Sequence, residues 1–240
     1  MPDLIFFTGD FLCYSRLEKE EVLENFLSQC QAPLGCFCVL GNHDYASYVS
    51  RDGRGDYAVK KPINPIFGVY RGLKALFFEK KALKGVVSKE AQQTAFHEQL
   101  CALLKRTSFR LLDNETLILP CGLNIVGLGE YGLGRALPDK AFAGYDQNYP
   151  GVVLVHNPDA LPLLLKHPGE MILAGHTHGE QIHFPFLKKI SQKLARLENP
   201  GYTRGLYQLP EKKLYVNRGI GGHKPFRFCS PPELLTITIT

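Results

Sequence analysis

At 240 residues the chain is long enough to bury one sizeable core, with room for a small insert or cap. Its 45% hydrophobic and 21% charged residues are ordinary for a globular domain and exclude a fibrous or disordered chain. The net charge of +5 leans toward anionic partners, yet no basic stripe or recognition motif supports a nucleic-acid binder. In chain order, the first element is the apolar run LIFF, read as a buried strand with Asp10 just beyond its C-terminal end. A helical pattern follows over 17–29, where Val22, Leu23, Phe26 and Leu27 share one stripe. GCFCVL reads as the next strand and ends in GNHD. Cys36 and Cys38 alternate onto one face there, and the seven cysteines, lacking C-x-x-C spacing, are expected as reduced core residues. Residues 51–90 break the pattern, first with Gly and Pro and then with a basic-apolar stretch, and are expected as an insert or cap. A helix is predicted at 89–106 from the spacing of Phe96, Leu100, Leu103 and Leu104. Strand-like FRLL, TLILP and NIVGLG come next, then the Gly-rich 127–135, expected as a mobile loop because it lacks the context of a phosphate-binding loop. GVVLVHNPD and EMILAGHTHG read as buried strands around a short helix at 158–166, and KKLYVN and ELLTITIT as two more strands. Strands that first alternate with helices and later follow one another point to an α/β core of two packed mixed sheets flanked by helices. No apolar stretch is long enough for a membrane span, and Asp3 stands where a signal peptide would be basic.

The polar strand ends are of one chemical kind: Asp10, then Asn42, His43 and Asp44, then His156, then His176 and His178. Singly, each histidine reads as a hydrogen-bonded structural residue. Together they lie at the same edge of the sheets, where α/β folds bind ligands. Oxygen and imidazole donors without thiolate suit Mn²⁺, Fe, Zn²⁺ or Mg²⁺ rather than a structural zinc. A set too rich for one ion, with a carboxylate able to bridge, points to a two-metal site for phosphoryl displacement.

TGD, GNHD, VHNPD and GHTHG, in this order and spacing, resemble the motifs of the calcineurin-like metallophosphoesterases, over essentially the whole chain. The resemblance implies that family's fold and a hydrolase using two divalent ions, chiefly Mn²⁺ with Mg²⁺, Fe or Zn²⁺ as alternatives. It implies that Asp10 bridges the ions, that Asn42, His156 and His176 complete one site, and that His178 belongs to the other. His43 would sit over the substrate and protonate the leaving oxygen, with Asp44 orienting it. The family opens with a further strand ending in D-x-H, and no such motif precedes Asp10 here. The second metal site is therefore expected to be incomplete, and the chain to be a truncation or a mis-assigned start of a protein longer by ~30 residues or more. Relatives also carry an acidic pair where this chain keeps only Glu130.

GHTHGEQIHFP, YTRGLYQ and LYVNRGIGG resemble the membrane-associated bacterial branch of the family, which includes enzymes that cleave UDP-2,3-diacylglucosamine to lipid X and UMP in lipid A synthesis. The resemblance implies a lipid-nucleotide substrate and peripheral contact with anionic lipid on the cytoplasmic face of the bacterial inner membrane. The mixed basic and apolar segments 66–84 and 184–197 fit such contact. His183 and Arg218 are candidate contacts to substrate phosphate. The other readings are a broad or cyclic-nucleotide phosphodiesterase of the same family, or a non-catalytic metal-binding scaffold.

Overall fold

The computed structural model describes residues 1–60, 84–181, 183, 197–222 and 227–238. Three short strands, β1 (Ile5–Phe7), β2 (Cys36–Cys38) and β5 (Phe109–Leu111), form a parallel sheet in the order β1-β2-β5, so β1 is its outer edge. Between β2 and β5 the chain makes a small hairpin, β3 (Val49–Arg51) with β4 (Tyr57–Val59). The second sheet contains β6 (Glu115–Ile118), β7 (Asn124–Gly127), β8 (Gly151–Leu154), β9 (Met171–Ala174), β10 (Gly205–Gln208) and β11 (Lys213–Val216). Its order is β10-β11-β9-β8-β7-β6, with β7, β8, β9 and β11 parallel and the two outer strands antiparallel.

Side chains alternate across each strand and so assign the layers. Phe37 of β2 meets Ile125, Val152, Leu154 and Leu173 of the second sheet, which closes the space between the sheets. Its neighbours Cys36 and Cys38 point the other way, onto Leu27 of helix α1 (Glu20–Gln29) and Leu100 and Leu103 of a later helix. On the far side of the second sheet, Val153 and Ile172 pack with Ala141 and Leu161. These last two belong to the short helices α4 (Pro138–Ala141) and α5 (Leu161–Leu164). The result is the expected stack of helices, sheet, sheet and helices, in which each fully buried Leu or Ile contributes about 2 kcal/mol of transfer free energy.

Four local expectations are corrected. The predicted helix at 89–106 is two helices, α2 (Lys89–Gln93) and α3 (Glu98–Leu104). The Thr94 hydroxyl donates back to the Glu90 carbonyl (2.9 Å), and His97 Nδ1 caps α3 by accepting from Leu100 N (3.3 Å). The break lets Phe96 stack on Tyr45, with the Arg135 guanidinium over both rings. On α1, only Leu23 and Leu27 face the core, while Val22 and Phe26 of the same stripe are exposed. The tail at 231–238 is not a strand: Leu234 is 92% exposed and finds no apolar face to cover. All seven cysteines are free, but only Cys36 and Cys38 are fully buried, and Cys13, Cys121 and Cys229 lie on the surface.

Within the expected insert at 51–90, the chain returns beside its point of departure. Tyr57 N donates to the Val86 carbonyl and Ser88 N to the Tyr57 carbonyl, both at 2.9 Å. Most of the two basic-apolar segments, 66–83 and 184–196, lies outside the described residues. Among the described residues no helix is long and apolar enough to cross a membrane.

Candidate metal centre

Four parallel strands from the two sheets deliver four side chains to one point. Asp10 follows β1, Asn42 follows β2, His156 follows β8 and His176 follows β9. His156 Nε2 lies 3.2 Å from Asp10 Oδ2, 3.2 Å from Asn42 Oδ1 and 3.1 Å from His176 Nδ1. Hydrogen bonds on the outer side of His156 and Asn42 decide which of their atoms faces inward. His156 Nδ1 lies 2.7 Å from the Thr8 carbonyl, which can only accept, so this nitrogen carries a proton. The Asn42 amide donates to the Val49 carbonyl (2.6 Å), which turns its oxygen toward His156. Asp10 Oδ2, Asn42 Oδ1, His156 Nε2 and His176 Nδ1 thus converge, an arrangement that a shared cation resolves. This donor set fits a divalent ion such as Mn²⁺, Mg²⁺, Fe²⁺ or Zn²⁺.

The backbone is shaped for this convergence. Asp10, His176 and His178 have φ of 61°, 69° and 51°, the left-handed region that costs about 1–3 kcal/mol for a residue with a side chain. Gly41 must lack one, because a Cβ there would collide with the Asp10 carboxylate and come within 2.7 Å of His156 Cε1. The Asp44 carboxylate accepts the backbone N–H groups of Asp10 (2.7 Å), Leu12 (2.9 Å) and Gly41 (2.9 Å), and so fastens the first two ligand turns to each other. Burial and the nearby Asp10 charge push Asp44 up to about 7, against the pull of these N–H donors.

Without an ion, the shared cation is a proton. Burial pushes the Asp10 carboxyl up, but His156 and then His43 hold it well below the usual carboxylate range. Burial pulls the His156 ring down, yet the Asp10 charge and hydrogen bond lift it to about 10. His176 is held neutral, well below its ordinary value, by burial and by the charge on His156. Because the His156 value is raised on folding, its proton stabilises the metal-free fold fully below 6.5 and ceases to do so as pH climbs through about 10. An incoming cation must displace that proton. Titrating Mn²⁺ calorimetrically at pH 7, in two buffers of different ionisation enthalpy, is expected to read close to one proton released per ion. The affinity then climbs nearly tenfold per pH unit in this range. An affinity flat with pH would show that His156 Nε2 is not displaced.

Of the other expected residues, His43 is buried beside the cluster. Its backbone N–H donates to Asp10 Oδ1 (3.1 Å), and its ring packs against Tyr14 and Tyr48. The expectation that Asp44 orients this ring is corrected: both Asp44 oxygens serve the backbone, and it is the Tyr14 N–H that donates to His43 Nδ1 (2.7 Å). That bond leaves the proton of the neutral ring on Nε2. His178 lies outside the group that Asp10, His156 and His176 form among the described residues. His183 is buried, with Nδ1 2.5 Å from Glu180 Oε2, and Arg218 reaches Glu233 Oε1 at 3.3 Å, so both turn toward protein carboxylates. Residues 127–135, expected as a mobile loop, are instead a packed turn in which Leu128, Glu130 and Leu133 are buried. Glu130 is a site residue that the pattern of strand ends passed over, although it follows β7 as His156 follows β8. Burial raises its carboxyl to about 7, against the charge of His156.

Comparison with known proteins accords with this geometry. A family model described as calcineurin-like phosphoesterase matches residues 1–180. The UDP-2,3-diacylglucosamine pyrophosphatase LpxG of Chlamydia trachomatis is 42% identical over 240 residues, covering 97% of this chain and 72% of that protein. Phosphodiesterase YaeI of Escherichia coli K12 is 26% identical, covering 99% of this chain and 70% of its own length. The metallophosphoesterase YkuE of Bacillus subtilis is 29% identical, at 99% and 68% coverage. No solved structure matches the chain significantly. A metal-ready cluster built at the strand ends and a family match over three quarters of the sequence lead to the same conclusion: the chain belongs to the calcineurin-like phosphoesterases.

Proposed function

We propose that this protein is a divalent-metal-dependent hydrolase that cleaves the pyrophosphate bond of UDP-2,3-diacylglucosamine, giving UMP and the acylated sugar phosphate. The observation that carries the hydrolytic reading is the convergence of Asp10, Asn42, His156 and His176 on one point. The substrate rests on the identity with LpxG. When bound, the cations, chiefly Mn²⁺, supply activation of water and neutralisation of charge on the phosphoryl group. Asp10 offers the carboxylate able to bridge two ions, and His178 is the candidate donor to the second. His43, its Nε2–H set by the Tyr14 contact, donates to the leaving oxygen. His183 and Arg218 stay proposed as phosphate contacts, reached on exchange of their present carboxylate partners.

We also read segments 66–84 and 184–197 as contacts to anionic lipid, on the cytoplasmic face of the inner membrane. The described residues that follow the two segments are held close to each other. Glu198 accepts from Gly85 N (2.9 Å) and from the Tyr131 hydroxyl (3.0 Å), and Arg51 Nη1 donates to the Leu197 carbonyl (2.5 Å).

Assay of the purified protein with Mn²⁺ or Mg²⁺ on UDP-2,3-diacylglucosamine in anionic vesicles, beside bis-p-nitrophenyl phosphate, tests both parts. UMP release, slight unless the second metal site is completed, and flotation with the vesicles are the expected results. Hydrolysis of the generic ester alone would favour a broad phosphodiesterase, the reading that the likeness to YaeI supports. Hydrolysis of neither by the metal-loaded protein would favour the scaffold, and failure to float would remove the membrane contact.

A further inference from the structure

One buried carboxylate of the site lies outside the ligand set. Glu130, three residues past β7, is 1% exposed. Its Oε1 accepts from Gly132 N (2.9 Å) and so caps the turn Tyr131–Leu133. Its Oε2 is buried with no hydrogen-bond partner. Native proteins seldom leave a buried carboxylate oxygen without a donor, so this atom calls for one. Glu130 lines a small cavity of about 20 Å³ that it shares with Asn42, Arg51, Tyr57 and His176. That volume holds a single water molecule, and the lining is polar enough to retain one.

Two members of this lining, Asn42 and His176, are candidate metal ligands. His176 presents Nδ1 to the cluster, 3.1 Å from His156 Nε2, so its second ring nitrogen, Nε2, is the one left for the cavity. A ligating histidine almost always donates its outer N–H to a carboxylate, a carbonyl or a water, which fixes both tautomer and ring orientation. For His156 the Thr8 carbonyl does this directly. Among the described residues no comparable protein acceptor stands against His176, whereas Glu130, whose Oε2 is unsatisfied, lines the same one-water cavity.

We propose that Glu130 is a positioning residue for the metal centre, its Oε2 accepting the outer N–H of His176 through one water held in this cavity. The inference rests on the assignment of Asp10, Asn42, His156 and His176 as metal ligands. The water donates to Glu130 Oε2 and accepts from His176 Nε2–H. It thereby keeps the Nδ1 lone pair turned inward, and donation to the charged acceptor at Oε2 polarises the water toward His176 Nε2–H, as an amide NH₂ in that place would not.

Glu130→Gln separates this role from the cap. The amide oxygen can still accept from Gly132 N, but an NH₂ group replaces the Oε2 acceptor. Mn²⁺ affinity by calorimetry is expected to fall by roughly 10- to 100-fold, with the melting temperature of the metal-free protein close to wild type. The visible spectrum of the Co²⁺-loaded protein is expected to change with it. A wild-type Kd and spectrum beside a lowered melting temperature would leave Glu130 a cap and overturn the proposal. Should the variant not fold, a high-resolution structure of the wild-type protein decides: a water bonded to both Glu130 Oε2 and His176 Nε2 supports the inference, and a dry cavity refutes it. Wild-type protein that takes up no Mn²⁺ or Co²⁺ would strike the ligand assignment itself, a failure distinct from that of Glu130 alone.

Discussion

Asp10→Asn is expected to lower phosphodiester hydrolysis by about a thousandfold, or ~4 kcal/mol of transition-state stabilisation, with the fold retained. Asparagine keeps the volume of the side chain and an oxygen to accept from His43 N, now at 3.1 Å from Oδ1. What it removes is the negative charge facing His156 Nε2 and available to a cation. The effects on folding oppose each other, since the attraction to His156 is lost and the repulsion that raises Asp44 is lifted. The melting temperature of the metal-free protein therefore changes little. Rates on bis-p-nitrophenyl phosphate with saturating Mn²⁺, together with calorimetric Mn²⁺ affinity, check this. A loss under tenfold with metal affinity unchanged would take Asp10 out of the metal centre.

His43→Gln is expected to show a different signature, with metal affinity preserved and a loss that depends on the leaving group. The Tyr14 N–H holds His43 Nδ1 as an acceptor, so the neutral ring has one proton to give, at Nε2. A nitrophenolate departs readily as an anion, and a sugar phosphate, whose second pKa is about 6, is no more basic, so neither gains much from that proton. An alkoxide leaving group does need it. The variant is expected to lose about a hundredfold or more on an alkyl phosphodiester, as for removal of a general acid, and on the order of tenfold on bis-p-nitrophenyl phosphate and on UDP-2,3-diacylglucosamine. Equal losses on the alkyl and nitrophenyl esters would assign His43 to charge stabilisation or structure rather than proton donation.

The chemistry of the site was legible because parallel strands place their C-terminal ends on one edge, and because each apolar run here stops at a polar residue of the ligand type. Asp10, Asn42, His156 and His176 stood among the seven residues that this pattern singled out, their separation of more than 160 residues along the chain mattering little, and the resemblance to the family set them apart from His43, Asp44 and His178. The four-layer stack was legible for a similar reason, since β2 alternates Cys36, Phe37 and Cys38 onto two cores. Less legible were the residues whose role depends on what tertiary contact surrounds them. Nothing in GNHD indicates that Asp44 binds three backbone N–H groups from two separate turns rather than the histidine beside it. Glu130 lay in a Gly-rich stretch with the composition of a loop, and nothing in that stretch encodes its burial beside a cavity shared with Asn42, Tyr57 and His176. The break in the helix at Thr94 accompanies the stacking of Phe96 on Tyr45, a contact 51 positions apart that no local periodicity encodes. The tail at 231–238 shows the converse, an alternating pattern of strand type that met no partner edge.

The left-handed backbone at Asp10, His176 and His178 has a consequence for the evolution and engineering of this protein. At each position glycine would relax the main chain and in the same substitution remove a side chain on which the proposed function relies. A library selected only for heat resistance would therefore be drawn toward glycine at 10, 176 and 178, and its winners would be robust and inert. These three codons are where fitness for durability and fitness for turnover oppose each other most directly, and a stabilisation campaign keeps its enzyme by holding them fixed.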